Sequence, residues 1–508
     1  MTRPTLSSSP KKRRRRSLIA FEMIRLDRAT RESLHQQLYR QIRDEITSGS
    51  FNGNTSRLPS SRALAANLGI ARLTVKLAFE KLQDEGYIKA KTGSGTFLAD
   101  SLPETFLKTT KPPREPQQER PPRLADRVKN LPDHRAGKQF DFGIAGAPGV
   151  SFVPALAALD EFPIEIWERL RAQVLAKKGA HLLQYATSRG DADLRKAIAG
   201  YLCDFRGARC HADQIVITAG TQQAMTIAAM ALLNPGDVAW IEDPGFYQAR
   251  RAFVFAGAKV VPRAVDREGL VLGKVSRKLL PKIIYVTPSH QFPLGMTMSL
   301  ARRRELIDFA RTHDAYIFED DHNSEFRFTG PPLPCLQGLD DSGRVIYAGT
   351  MSKILFPSLR LGFLLAPERL IDSIIKIRAV IDQHSSPIDQ ATLARFISEG
   401  FFLSHIRRMR KLYSERREFF IEQFHHSLGE YFRLQIPEAG LHFVAWLRRK
   451  GDLPLITQAC AEIGIRPSPL SSCFIEPELK PALTFGFAAW SKAQIREGLA
   501  KLAARLHA

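Results

Sequence analysis

The sequence predicts a multidomain chain: an N-terminal winged helix-turn-helix followed by a larger α/β domain. Three observations predict it. Between residues 60 and 84 two short helical patterns flank a glycine turn and run on into a glycine-rich hairpin. Residues 101–138 are dominated by proline and charge, a composition that cannot bury a core. From Phe140 onward apolar strand patterns alternate with amphipathic helical ones. At 508 residues the chain is also too long for one ordinary domain.

Charge narrows the partners. Lys and Arg total 74 against 52 Asp and Glu, a formal surplus of +22. Residues 1–100 carry 19 Lys/Arg and 9 Asp/Glu, so much of the excess sits in the first fifth. Such a balance points to a polyanion, with nucleic acid ahead of an anionic membrane. No apolar run approaches the length of a membrane span, and nothing in the first 30 residues reads as a signal peptide. Five cysteines without CxxC spacing argue against a zinc site or a disulfide framework and fit a reducing cytoplasm. Residues 1–22, with the run KKRRRR, read as a disordered basic arm. That arm serves either solubility or non-specific phosphate contact. Met23 is a second candidate for the first residue.

Residues 23–100 form the first domain. Leu34, Leu38, Ile42 and Ile46 recur every four residues and predict a helix over 31–48. A second helix begins in PSSRALAANLG, capped by Ser60 and ended by Gly69. A third turns Val75, Phe79 and Leu82 inward, and YIKAKTGSGTFLA follows as the hairpin wing. The third helix is the one to enter a major groove. Arg72 in its first turn can reach a guanine edge, with Thr74 and Lys76 beside it. Arg62 suits a backbone phosphate, and Gly93, Gly95 and Thr96 make the wing tip.

The second domain, 139–508, has a smaller subdomain from roughly 400 onward. In QIVITAGTQQAM a buried strand runs into Gly220, Thr221 and Gln222 and then a helix, whose free amides offer a phosphate seat. WIEDPGFYQAR ends a strand with Phe246 and Tyr247, either of which could stack on a flat ring. IFEDDHNSEF ends another with Glu319, Asp320, Asp321 and His322. That cluster reads equally as a carboxylate for a pyridine nitrogen, a metal site or a solvated loop. The most specific segment is YAGTMSKILFPSLRLGF. There Lys353 follows Thr350 and Ser352, and Arg360 comes seven residues later. An amine beside hydroxyls and a guanidinium suits a Schiff base to an aldehyde that also carries a phosphate.

Two resemblances rest on these residues. RLPSSRALAANLGIARLTVKLAFEKLQDEGYIKAKTGSGTFLA resembles the DNA-binding domain of GntR-type transcriptional regulators. FPIEIWERLR, YATSRGDADLRKAIAGYL, EDPGF, TPSHQFPLG and SKILFPSLRLG resemble, in order, the fold type I aminotransferases that use pyridoxal 5'-phosphate. The joint arrangement is similar to the MocR subfamily. The resemblance implies that Lys353 carries the cofactor as an internal aldimine and that Asp320 pairs with its pyridine nitrogen. It puts Gly220, Thr221, Gln222, Thr350, Ser352 and Arg360 around the phosphate and Phe246 on the ring. Tyr185 would reach the phosphate of a partner subunit. No metal is implied. The expected function is a cytoplasmic transcriptional regulator that binds a double-stranded DNA operator as a homodimer. Its second domain would sense pyridoxal phosphate, an amine or an amino acid, and an active aminotransferase is the alternative.

Four positions depart from the pattern. Ala71 stands where the recognition helix usually has a capping hydroxyl, forgoing about 0.5–2 kcal/mol. The tyrosine expected at the cofactor's phenolic oxygen falls on His322, and the asparagine before the PxG motif falls on Phe292. The arginine that clamps a substrate carboxylate falls at Thr484, which predicts little or no turnover of amino acids.

Overall fold

The computed structural model describes residues 24–48, 57–91, 93–99, 123–132, 152–154, 156–330, 333–476 and 480–507. The basic arm and most of the 101–138 segment lie outside the described residues. The chain divides between Pro122 and Arg123 into two compact units.

In the first unit α1 (Leu34–Thr47), α2 (Ser61–Leu68) and α3 (Arg72–Asp84) lead to the hairpin β1 (Ile88–Lys91) and β2 (Gly95–Leu98). α1 starts three residues later than its periodicity predicts. The side chain of buried Gln37 donates to the carbonyls of Asp27 and Glu32, each at 2.8 Å, and so holds the preceding segment as a turn. The Ser60 hydroxyl accepts from the Ala63 N–H and caps α2, while Gly69 closes it in a left-handed conformation. Ala71 caps nothing, as its side chain requires. Leu38, Ile42, Leu64, Val75 and Leu82 meet in one small core.

In the second unit α4 (Asp126–Lys129) is followed by α5 (Ile164–Lys178) and α6 (Ala192–Arg206). The sheet and its helices then alternate. They are β3 (Ile215–Thr218), α7 (Thr221–Leu232), β4 (Val238–Asp243), α8 (Tyr247–Phe255), β5 (Lys259–Asp266), β6 (Gly269–Leu270), β7 (Ile283–Val286), α9 (Leu300–Thr312), β8 (Tyr316–Asp321), α10 (Leu336–Leu339), β9 (Val345–Thr350) and β10 (Gly362–Leu365). The strand order is β3-β10-β9-β8-β7-β4-β5-β6. β9, β8, β7, β4 and β5 run parallel, and β10 is antiparallel to both neighbours. Both faces are covered, which is why these strands read as continuous apolar runs. Phe318, Tyr285 and Ile241 pack toward α7 and α8, while Ile317, Ile284 and Trp240 pack toward α9.

After α11 (Glu368–Ile381) and α12 (Pro387–Ser398), the 28-residue α13 (Phe401–Leu428) leads into the smaller lobe. This lobe consists of β11 (Phe432–Gln435), β12 (His442–Leu447), α14 (Leu453–Ile463), β13 (Ser468–Pro469), β14 (Ala482–Gly486) and α15 (Lys492–His507). Its antiparallel sheet has the order β11-β12-β14-β13. Phe420, Phe424, Phe443 and Phe485 form its aromatic centre. The turn from β4 to α8 is stitched to this lobe. The Asp243 carboxylate accepts from the Ile475 and Glu476 amides, at 2.8 and 3.1 Å, and the Gly245 N–H donates to the Cys473 carbonyl at 2.9 Å.

Candidate functional site

The first unit presents one exposed helix and one wing. Arg72 and Lys76 lie on the outer face of α3, Thr74 is half-buried beside them, and Lys76 pairs with Glu80 at 3.5 Å. Arg72 Nε sits 3.4 Å from the Ser61 hydroxyl, which brings the starts of α2 and α3 together. Arg62 is exposed on the first turn of α2. Gly93 lies in the turn of the wing, and Gly95 and Thr96 open β2, paired with Lys91 and Ala90. Two features escape a motif reading. Leu73 and Leu77 leave 65% and 41% of their surface in water between the polar residues of α3. Arg57 bridges to Phe97, and a Cβ on Gly95 would come within 3.0 Å of its Nε. That close approach, at φ +107°, is what the wing glycine permits.

In the second unit the three successive acids that end β8 divide between its two faces, Glu319 and Asp321 on one and Asp320 on the other, because alternate residues face opposite sides of a strand. Glu319 accepts from the Leu336 and Gln337 amides, and burial lifts its pKa to about 7. Asp321 pairs with Arg206 at 2.6 Å and accepts from the Tyr347 hydroxyl. Asp320 accepts from the Tyr285 hydroxyl at 2.8 Å through Oδ2, while its buried Oδ1 has no partner. Burial raises Asp320 to about 6 against the opposing pull of Tyr285 and Lys353. The Lys353 residue is half-buried but its amine is enclosed. Burial lowers its pKa, and Asp320 pulls the other way.

The residues expected around a phosphate come together from three chain segments. Gly220 has φ +102° at the start of α7, and a Cβ there would lie 3.9 Å from Arg360 Nη1 and 4.0 Å from Thr350 Oγ1. A Cβ on Gly362 would sit 2.7 Å from the Gly220 Cα, so β10 and the head of α7 touch backbone to backbone. The Ser352 amide donates to Thr350 Oγ1 at 3.2 Å, and the buried Ser352 hydroxyl has no partner. Thr221 and Gln222 occupy the first turn of α7, where the amides are free of helical partners.

Around Lys353 stand rings. Phe246 caps α8 and meets Phe292 edge-on at 5.6 Å. Phe292 in turn meets His322 at 5.9 Å and His442 at 5.6 Å, and His290 lies between the two imidazoles. Burial pushes all three histidines below their ordinary range, His442 to about 4, so each is neutral. Tyr285, His290 and His442 were not singled out from the sequence. A tyrosine inside the apolar run IIYV is the one available signal, since a buried hydroxyl demands a partner. Thr484 is buried and donates to the Ser468 carbonyl at 3.0 Å. Tyr185 stands apart from this group, 91% exposed, with its ring near His384.

The residues fit a phosphorylated pyridine aldehyde: an enclosed amine, an unpaired carboxylate oxygen and a glycine-lined seat beside a guanidinium. Comparison with known proteins agrees with this chemistry. Residues 156–502 match the family described as aminotransferase class I and II, and residues 34–98 match the bacterial regulatory proteins of the gntR family. A probable rhizopine catabolism regulatory protein, MocR, of Rhizobium meliloti is 37% identical over 94% of this chain and 95% of its own. The chain belongs to the MocR-type GntR regulators.

Other relatives share the full MocR-type length. The pyridoxine biosynthesis regulator PdxR of Corynebacterium glutamicum is 29% identical over 92% of this chain and 95% of its own. Among solved structures, a kynurenine aminotransferase of Pyrococcus horikoshii, in complex with PMP, superposes with a TM-score of 0.68. It shows 26% identity over 76% of this chain and 96% of that one. A multiple substrate aminotransferase of Thermococcus profundus gives 0.67 and 28%, over 76% and 97%. The second unit of this MocR-type chain thus has the fold type I aminotransferase architecture. Among the described residues no helix is long and apolar enough to cross a membrane.

Proposed function

We propose that the chain is a transcriptional regulator that reads a double-stranded DNA operator with its first unit and holds pyridoxal 5'-phosphate in its second. The observation that carries the reading is the Lys353–Asp320–Tyr285 arrangement in the same chain as an exposed recognition helix. When bound, the cofactor supplies an electrophilic carbonyl and a ring able to accept electrons. Lys353 would provide the amine for it. Asp320, oriented by Tyr285, would hold a proton on the ring nitrogen through its open oxygen. Gly220, Thr221, Gln222, Thr350, Ser352 and Arg360 would hold the phosphate, and Phe246 would cover the ring. On DNA, Arg72, Thr74 and Lys76 would read the major groove. Arg62 and the wing residues Gly93, Gly95 and Thr96 would contact the backbone.

A sensor role is favoured over turnover by Thr484. Its hydroxyl is committed to Ser468 inside the small sheet, where an aminotransferase would clamp a carboxylate. The ligand sensed is the cofactor itself or a primary amine or amino acid that reacts with it. A homodimer in the cytoplasm suits a two-fold operator, and the exposed Leu183, Tyr185 and Val380 suit an interface with a second copy. Selecting binding sites from random DNA with and without pyridoxal phosphate tests the reading. A sequence preference that changes on adding cofactor is expected, and one indifferent to it would remove the sensor role.

A further inference from the structure

His322 ends the acidic strand where the resemblance calls for a phenol. Its ring is buried, with Lys353, His290 and His442 the charged or titratable groups facing it. Burial and those neighbours hold it far below its ordinary pKa, so it carries one proton rather than two. Which nitrogen bears that proton decides what it can do. The next residue settles the matter. Asn323 Nδ2 lies 3.2 Å from His322 Nδ1. With the amide in this orientation its nitrogen donates, which makes Nδ1 the acceptor and assigns the proton to Nε2. Nε2 is buried and has no partner. A buried N–H without an acceptor is costly to the fold, so this one is suited to a group that enters the site. Asn323 itself is 1% exposed and adopts φ +66°, a left-handed conformation that asparagine accepts more readily than most residues.

We infer that Asn323 is a positioning residue that locks His322 as a neutral Nε2–H donor for the phenolic oxygen of the cofactor bound at Lys353. The inference rests on the cofactor reading above and replaces a phenol by an imidazole held in one tautomer. The two donors differ in one respect. A phenol rotates its own proton into place, whereas an imidazole offers a proton or a lone pair according to what its other nitrogen meets. A donor on the phenolic oxygen stabilises negative charge there. It thereby weakens that oxygen's hold on the proton of the lysine nitrogen, which is then released at lower pH. Asp320 would serve the pyridine nitrogen rather than this oxygen, so its role is separate from that of residue 323.

The test uses the full-length chain loaded with pyridoxal phosphate and reads the pH at which the lysine-linked cofactor changes colour. Asn323→Asp reverses the polarity at Nδ1, and Asn323→Gly removes the amide while suiting φ +66°. The midpoint is expected to rise by about one pH unit or more in N323D, at least tenfold in proton affinity, and by less in N323G. In a His322→Tyr background the same changes at 323 should leave the midpoint in place, because a phenol needs no tautomer lock. A midpoint that moves equally in both backgrounds, or in neither, overturns the inference. Nitrogen-15 spectra of histidine-labelled protein without cofactor give a separate readout, with His322→Phe identifying the signal. They are expected to show a protonated Nε2, and a protonated Nδ1 overturns the inference. If no cofactor links to Lys353 in the unaltered chain, the cofactor reading fails, while these spectra still decide the tautomer.

Discussion

The Tyr285 hydroxyl donates to Asp320 Oδ2 at 2.8 Å and so assigns the two oxygens of that carboxylate different tasks. One is tied to the neighbouring strand, and the other remains open. Tyr285→Phe removes the tie without altering the ring packing against Phe318 and Phe253. Asp320 should then hold its proton to a pH above 6, and the cofactor should bind about 1 kcal/mol more weakly. A titration of absorbance against added pyridoxal phosphate measures this, and unchanged affinity would detach Tyr285 from the site.

Lys353→Ala should abolish the borohydride-stable pyridoxyl label that peptide mapping otherwise places on residue 353. The amine is enclosed and uncomfortable as a cation, so its loss should leave melting of the cofactor-free protein unchanged or slightly improved. A label surviving on another lysine would relocate the site.

Arg72→Ala should cost about 1–3 kcal/mol in operator affinity and relax preference at one or two base positions. Arg62→Ala should weaken all DNA sequences alike and lower the salt slope by about 1. Full selectivity retained by the Arg72 variant, measured by competition against mutated operators, would reassign the recognition helix.

In the cofactor-free protein three buried acids should withdraw their contribution to stability as pH rises from about 4 to 7, while the depressed His290, His322 and His442 act in the opposite direction. Glu242 and Glu319 have folded pKa values near 7 and Asp320 near 6, all above their unfolded values. At these three acids the folded chain holds protons that the unfolded chain has released, so their titration favours unfolding as the pH rises. Glu242→Gln, which keeps an acceptor for Thr287, should shift the slope in denaturant titrations toward greater stability at pH 7 relative to pH 4, compared with the unaltered chain. An unchanged slope would mean that Glu242 is ionised in the fold.

Gly362→Ala should destabilise the second unit by about 1–3 kcal/mol, because a Cβ there meets the backbone of Gly220 at 2.7 Å. Chemical denaturation followed by tryptophan fluorescence reads the loss, and a neutral result would show that the head of α7 can retreat.

Much of this architecture was legible in local chemistry. Ser60 and Gly69 bound α2 because a hydroxyl acceptor and a left-handed residue are what helix ends require. The parallel strands announced themselves as apolar runs because both of their faces are covered. Lys353, Thr350, Ser352 and Arg360 were readable as a set because one strand and the turn after it carry them. What stayed hidden depends on partners distant in sequence. Tyr285 meets Asp320 only because β7 lies beside β8. His290 meets His322 because the segment after β7 lies beside the end of β8, and His442 joins them only because β12 of the smaller lobe packs against that segment. Gln37 shortens α1 through bonds to residues that no periodicity weighs.

The stitch between the β4–α8 turn and the smaller lobe makes Phe246 part of a lever. Its backbone lies one residue beyond the Gly245 amide that grips Cys473, and three beyond the carboxylate that grips Ile475 and Glu476. A guest that tilts the Phe246 ring would therefore bear on the Cys473–Glu476 segment of the smaller lobe, and a shift of that segment would bear on the ring. Occupancy and lobe posture are then one linked equilibrium. Whatever steadies the lobe in one posture must alter the guest's residence by the same factor that the guest alters the posture.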